Sequence, residues 1–203
     1  MKGPADELWR QTYSAELDLA RVGDLPAIGN RMTALNSARA IAVMSSGLMA
    51  GLLFGDWLGP SFARSAMNES SFIQFQQIVH LNYLRTLPAL STLALATPVL
   101  WLIMLRNHRR NAEFKLLVGA TVAIALGSMI TLIFNVPIND QLETWSFATP
   151  PADAREIWNG WEKAHIVRTV FWVAGFVLEI MALTSSASRS VTPAGVVSQE
   201  MSG

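Results

Sequence analysis

Of the 203 residues, 51% are apolar and only 15% are charged, where an ordinary soluble domain carries about 25%. That leaves too little polar surface to cover a soluble globule, so the composition argues against a soluble enzyme and a disordered chain, and for a membrane protein. Lys plus Arg equals Asp plus Glu at 15 each, which removes any global reason to bind nucleic acid, and the lack of cysteine excludes disulfides, zinc–thiolate sites, thiol nucleophiles and cysteine-ligated iron–sulfur clusters.

Residues 1–37 read as an N-terminal extension. It opens Met1-Lys2-Gly3-Pro4 and stays charged to Arg39 with no early apolar stretch, so it is not a secretory signal. Residues 5–22, with Leu8, Leu17 and Leu19 among charges, suit a modest helix, either on the membrane surface or frayed. Residues 38–188 read as a four-span membrane domain. The first span, about 40–60, has Asp56 as its only charge. Gly47, Ala50, Gly51 and Gly55 give it a small-residue face, suited to packing within the bundle or between copies, so homo-oligomerisation stays open.

Between spans one and two, Phe72, Phe75, Ile78 and Val79 recur at helical spacing, which predicts a short amphipathic helix over 71–80. Gln76 and His80 are four apart and share a face. The second span, about 86–105, and the third, about 116–136, are free of charge and long enough for the bilayer core. At the end of span three, Asn135 and Asn139 bracket Pro137, which removes an amide donor. Their amides can serve the carbonyls that Pro137 leaves unpaired, or project into a polar mouth. A long loop follows, and the fourth span is taken as about 165–187, with Glu179 its only charge past Arg168. The Ser-rich stretch 189–203 reads as a loose tail. The fold class is therefore all-α, a bundle of four transmembrane helices.

Four spans put both termini on one side. Ten basic residues fall on that side and five on the other, so the positive-inside rule predicts cytoplasmic termini. The short Arg106–Arg110 loop carries most of that asymmetry, and as a topology anchor it needs no further role. The opposite membrane end collects Gln76, His80, Asn135, Asn139 and most of the tryptophans.

At 100° per residue along one continuous helix, Trp158, Trp161, His165, Arg168, Trp172 and Glu179 fall on one stripe about 80° wide. Glu179 lies about 21 Å deeper than His165 at 1.5 Å per residue. Ionisable groups at membrane depth usually face the bundle interior, so the stripe is expected to point inward. The plainer readings are interfacial anchoring for Trp158 and Trp161, and snorkelling for Arg168. His80 and His165 could meet around a metal with Glu69, Asp56, Asp140 or Gln76 as oxygen donors, but without fixed ligand spacing the expectation is no metal.

The small-residue first span Gly47-Leu-Met-Ala-Gly-Leu-Leu-Phe-Gly-Asp-Trp-Leu-Gly-Pro is followed by Phe72-x3-Gln76-Gln77, a span led by Pro88, Asn135-x-Pro137-x-Asn139, and Trp161-x3-His165-x2-Arg168-Thr169. This order resembles the anthrone oxygenase family of small four-helix membrane proteins, over about residues 38–187. The resemblance implies a monooxygenase of polyketide biosynthesis, similar to noranthrone and emodin-anthrone oxygenases. These use O₂ to convert an anthrone to an anthraquinone, with no flavin, haem or added metal. The partners implied are a small apolar polycyclic aromatic substrate and the lipid bilayer.

Beside that resemblance, the residue chemistry suggests His165 as base and Arg168, Asn135 and Asn139 as stabilisers of an enolate or peroxide oxygen. Trp158, Trp161 and Trp172 could stack on planar rings, with Gln76 and His80 completing the substrate-binding set. Glu179 could orient Arg168 or accept a proton at depth. The competing reading is a non-catalytic membrane subunit or assembly factor that uses the same stripe to hold a partner or lipid.

Overall fold

The structure is a computed structural model that describes the backbone of residues 4–190 and the side chains of residues 29–186. It is helical, with no strand among the described residues. The elements are α1 (Pro4–Leu58), α2 (Pro60–Ala66), α3 (Glu69–Met104), a 3₁₀ turn (Arg106–His108), α4 (Ala112–Ile130), a π-helical turn (Thr131–Asn135), α5 (Val136–Thr144) and α6 (Ala154–Ser190). Among the described residues, four helical segments are long and apolar enough to cross a membrane: Gly29–Ala66, Glu69–Met104, Ala112–Thr144 and Ala154–Ser186. The chain divides between Ala38 and Arg39 into two units. The first, as far as it is described, is helical backbone belonging to α1, and it contains the helix expected over 5–22. The second is the bundle. The tail expected over 189–203 lies almost wholly outside the described residues.

The spans are longer than their apolar runs. The amphipathic stretch 71–80 is not a separate helix but the opening of α3, because no helix breaker separates it from span two. Pro88 and Pro98 both lie inside α3, as membrane helices tolerate where neighbouring groups re-satisfy the backbone. The short helix between the first two spans is instead α2, started by Gly59 and by Pro60, whose fixed φ and missing N–H suit a first helical turn. Asn68 starts α3 by accepting from the Ser71 amide at 2.9 Å. Likewise α6 begins at Ala154, eleven residues before the expected span, which places Trp158 and Trp161 on the same helix as His165.

The bundle reverses the pattern of a soluble protein. Large apolar side chains such as Leu132, Val170, Phe62 and Ile103 face outward, while Asp56, Arg64, Glu113, His165 and Glu179 are buried. Lipid solvates the outer face, so polar groups must find partners inside.

Helices α4 and α6 form the most extensive contact, and glycine permits it. A Cβ on Gly175 would stand 2.6 Å from Ile124 Cγ1 and 3.2 Å from the Ala120 carbonyl. One on Gly127 would stand 2.8 Å from Trp172 Cδ1. On α1, Gly47 abuts Phe176 and Ala50 is buried, whereas Gly51 and Gly55 have open space beside them. The small-residue face of span one is thus shared between the bundle and its exterior.

At the end carrying the Arg106–Arg110 loop, Glu113 accepts from Arg39 Nε and Trp101 Nε1, each at 3.0 Å, tying α1, α3 and α4. At the opposite end, Gln77 Nε2 donates to the Leu142 and Trp145 carbonyls at 2.9 and 2.8 Å, tying α3 to the end of α5. Arg155 ties α6 to the end of α2, donating to the Arg64 and Met67 carbonyls at 3.0 and 2.6 Å.

Gly175→Ala is expected to destabilise the bundle by about 1–3 kcal/mol, since backbone as well as side chain must yield. Gly51→Ala is expected to leave stability unchanged or slightly raised. Thermal unfolding of both variants in detergent checks the contrast.

Candidate functional site

The site begins with Asp56, the lone charge of the first span. In a helix tip surrounded by apolar residues, its carboxylate requires a cation. The turn at Gly59–Pro60 folds α2 back so that Arg64 meets it side-on: Arg64 Nη1 and Nη2 donate to Asp56 Oδ1 and Oδ2 at 3.0 and 2.9 Å. The guanidinium also donates through Nε to Glu162 Oε1 on α6 at 2.9 Å. Glu162 further accepts from Trp158 Nε1 at 3.1 Å and from the Ser61 hydroxyl at 3.1 Å. Arg64 is 1% exposed, so both carboxylates hold a fully desolvated fork.

His165 is the next member. It is 1% exposed, and its two nitrogens are committed differently. Nε2 lies 3.1 Å from the Leu53 carbonyl and 3.4 Å from Asp56 Oδ2. Nδ1 faces Arg168, which approaches through Nη2 at 2.9 Å and Nε at 3.2 Å. A guanidinium has only donors, so Nδ1 accepts and the proton belongs on Nε2, where the Leu53 carbonyl receives it and the Asp56 carboxylate lies alongside. The imidazole is thereby neutral. Arg168 Nη1 also donates to Thr131 Oγ1 at 3.3 Å. The cluster balances, with Asp56 and Glu162 against Arg64 and Arg168.

Trp158, Trp161 and His165 recur at spacings of three and four on α6, and their rings stack. Trp158 and Trp161 centroids are 4.5 Å apart with planes 14° from parallel, and Trp161 and His165 are 4.8 Å apart at 10°. The Arg168 guanidinium lies 5.2 Å over the Trp161 ring, and Phe72 closes on Trp158 edge-on at 5.3 Å. Both faces of Trp161 are covered, so it braces His165 and has no face free to stack on a planar ligand.

Asn135 is positioned by backbone irregularity. Pro137 has no amide to donate into the α-helical ladder, and the chain widens into a π turn in which the Val136 amide reaches the Thr131 carbonyl. That turn directs Asn135 inward, fully buried, with Nδ2 donating to the Trp161 carbonyl at 3.1 Å. Asn135 Oδ1, Trp161 Nε1 and Gln76 Oε1 are buried polar atoms without a partner at this end of the bundle. Each desolvated, unpaired atom carries a cost that a ligand's polar group could offset.

The structure therefore brings His165, Arg168, Asn135, Trp158 and Trp161 together and buries Gln76 at the same membrane end. It does not bring the remainder. His80 pairs with Glu143 at 3.0 Å, nearer the surface. Asn139 is half-buried and makes no hydrogen bond to His165 or Arg168. Trp172 packs in the middle of the bundle against Gly127 and Ile124, with its Nε1 unpaired. Glu179 does not orient Arg168: it lies too far along α6, and its Oε2 accepts the Ser46 hydroxyl from α1 while Oε1 has no partner. Among the described residues no group of three His, Asp or Glu side chains is disposed to hold a metal ion.

Sequence reasoning missed Arg64 and Glu162 as members of this site, and met Asp56 only as a possible oxygen donor to a metal. The signal for Asp56 was present, as a single ionisable group inside an apolar run is by default a functional one. Arg64 and Glu162 carried no such mark, since both lie in segments where charge is ordinary.

A four-span membrane bundle with a paired, charge-balanced histidine–arginine site at one end is the class that fold and site define. The sequence model of the anthrone oxygenase family matches residues 75–178, about half of the chain. The chain belongs to that family. Membership supports an oxygenase-like, oxidoreductase role in general. No curated protein and no solved structure matches the chain. The matched segment contains His165, Arg168, Asn135 and both stacked indoles, but not Asp56 or Arg64.

Removing the guanidinium leaves Asp56 buried and unpaired, so Arg64→Ala is expected to cost about 3–5 kcal/mol. Arg64→Lys should lose part of that, because one ammonium cannot serve both carboxylates as the fork does. Unfolding in detergent measures both.

Proposed function

We propose that the protein oxidises an anthrone-type polyketide to an anthraquinone with O₂ at the His165–Arg168 pair, using neither flavin, haem nor metal. The observation that carries this reading is a buried neutral imidazole whose accepting nitrogen is in the grip of a guanidinium.

An anthrone holds a methylene opposite a ketone across an aromatic frame, and loss of one methylene proton gives an extended enolate. That requires a base for carbon and a cation for the developing oxyanion. His165 Nε2 is occupied by its proton, so Nδ1 is the basic nitrogen. In the structure Arg168 covers it. A substrate ketone offers the guanidinium a better partner, because its oxygen gains negative charge as the proton leaves. Arg168 follows that oxygen, and Nδ1 is uncovered for the proton. Asn135, freed from the Trp161 carbonyl, is a second donor to the same oxygen, with Asn139 at the mouth.

The enolate passes one electron to O₂, and the resulting radical and superoxide combine at the former methylene carbon. The peroxide takes back the proton held by His165. The second methylene hydrogen leaves as a proton while the O–O bond breaks, so one oxygen atom becomes the new ketone and the other leaves as water. Substrate plus O₂ gives quinone plus water, with the substrate as reductant. A flat apolar substrate partitions into lipid and reaches a membrane site at high local concentration. From the basic asymmetry we place both termini in the cytoplasm and the site at the opposite membrane face.

His165→Ala is expected to reduce O₂-dependent anthrone oxidation to its spontaneous rate. Arg168→Lys, which keeps the charge and loses the fork, should lower kcat by about 10²–10³. The assay is anthraquinone formation under air against argon. Wild-type rates in a well-folded His165→Ala variant would defeat this reading and favour a non-catalytic subunit. The chain has no cysteine, so one introduced at Asn107 should be labelled by an impermeant thiol reagent only from the cytoplasmic side.

A further inference from the structure

His165 as base leaves a charge to be accounted for. Accepting a proton at Nδ1 makes an imidazolium in a bundle interior, with Arg168 already beside it on the same side. Such a cation forms readily only if an anion is held in place before the proton arrives. The opposite edge of the ring supplies one. Asp56 Oδ2 stands 3.4 Å from Nε2, and the Leu53 carbonyl, from the same helix tip, stands at 3.1 Å.

The carboxylate is not free to wander. Arg64 grips both of its oxygens, and Glu162 anchors Arg64 from α6, the helix that carries His165. Asp56 and His165 are therefore clamped to each other through a chain of charges that closes across α1, α2 and α6. The stack of Trp161 on the imidazole fixes the ring's plane and keeps the Nε2 edge against the Leu53 carbonyl and the Asp56 carboxylate.

We infer that Asp56 is the positioning residue for His165, setting its negative charge against the Nε2 edge and neutralising the ring when Nδ1 takes the substrate's proton. Asp56 itself touches no reacting atom. Arg64 and Glu162 act one step further out, presenting Asp56 at the required edge. The division of labour is specific. Leu53 is a neutral acceptor that helps choose the tautomer, while only Asp56 brings negative charge. The inference rests on the reading of His165 as a base, although the Asp56–His165 pairing can be checked without it.

The experiment is Asp56→Asn in the full chain, read in two ways. In the anthrone assay, kcat is expected to fall about 10²-fold at unchanged KM. The lost interaction exists only once the imidazole is charged, and Leu53 still holds the tautomer. In ¹⁵N-histidine NMR, the His165 Nε2–H proton, assigned with His165→Ala among only three histidines, is expected to move upfield in the variant.

To separate chemistry from folding, Asp56→Asn is compared with Glu162→Gln, which removes the other carboxylate from the same guanidinium and leaves Asp56 beside His165. The two variants should lose similar unfolding temperature, while the larger loss of kcat and the resonance shift belong to Asp56→Asn. An equal kcat loss in Glu162→Gln, or wild-type kcat in Asp56→Asn, would overturn the inference, as would an unmoved Nε2–H resonance. A wild-type protein that never exceeds spontaneous oxidation, yet shows the resonance shift, would sink the anthrone reading and leave the Asp56–His165 pairing standing.

Discussion

Charge inside a membrane bundle must be matched by charge, and the site end of this protein is arranged around that requirement. Water is absent from the bilayer core, so an unpaired carboxylate or guanidinium there has no inexpensive environment. Arg64 meets the demand for two carboxylates at once, one from α1 and one from α6, and in doing so decides how those helices approach. The seven residues Pro60–Ala66 bring that guanidinium back over Asp56. The candidate site then hangs from the two carboxylates, His165 beside Asp56 and Trp158 through Glu162.

A second consequence is rigidity of the imidazole. Stacked rings on one helix face hold each other at separations where dispersion and offset π contacts are favourable. Here the ladder ends on His165, whose Nε2 is engaged by the Leu53 carbonyl of α1 and whose Nδ1 is engaged by Arg168 one turn along α6. Within the indole stripe, Trp161 is stacked between Trp158 and His165 and braces the imidazole. What remains free to change partner is Arg168, whose contacts are to a neutral nitrogen and a hydroxyl, both weaker than an oxyanion would be. The unpaired atoms of Asn135, Trp161 and Gln76 lie at the same end and add to the polarity available to a ligand.

The π turn shows how a local defect serves the site. Pro137 cannot donate, the ladder widens for one turn, and Asn135 is carried to the α6 backbone at Trp161. The asparagine pair was legible as something disturbed by proline, but only one of the two amides reaches the interior. A single residue of slip in a helix rotates a side chain by 100°, so the inserted residue decides which amide points inward.

The number of spans, their order and the inward face of α6 follow from the sequence alone. Each depends on a property the chain carries locally: runs without charge, lengths near twenty residues, and a 3.6-residue period. Glu179 was visible as a charge that lipid would not tolerate, hence buried. What local properties cannot encode is which buried group meets which. Glu179 reaches Ser46 rather than Arg168, His80 reaches Glu143 rather than His165, and Arg64 unites Asp56 with Glu162, which lies 98 residues beyond Arg64 in the chain. Those pairings depend on helix rotation and axial register. Only the packed bundle decides these, through contacts such as Gly175 on Ala120 and Gly47 on Phe176 that set how deep each helix sits beside its neighbour.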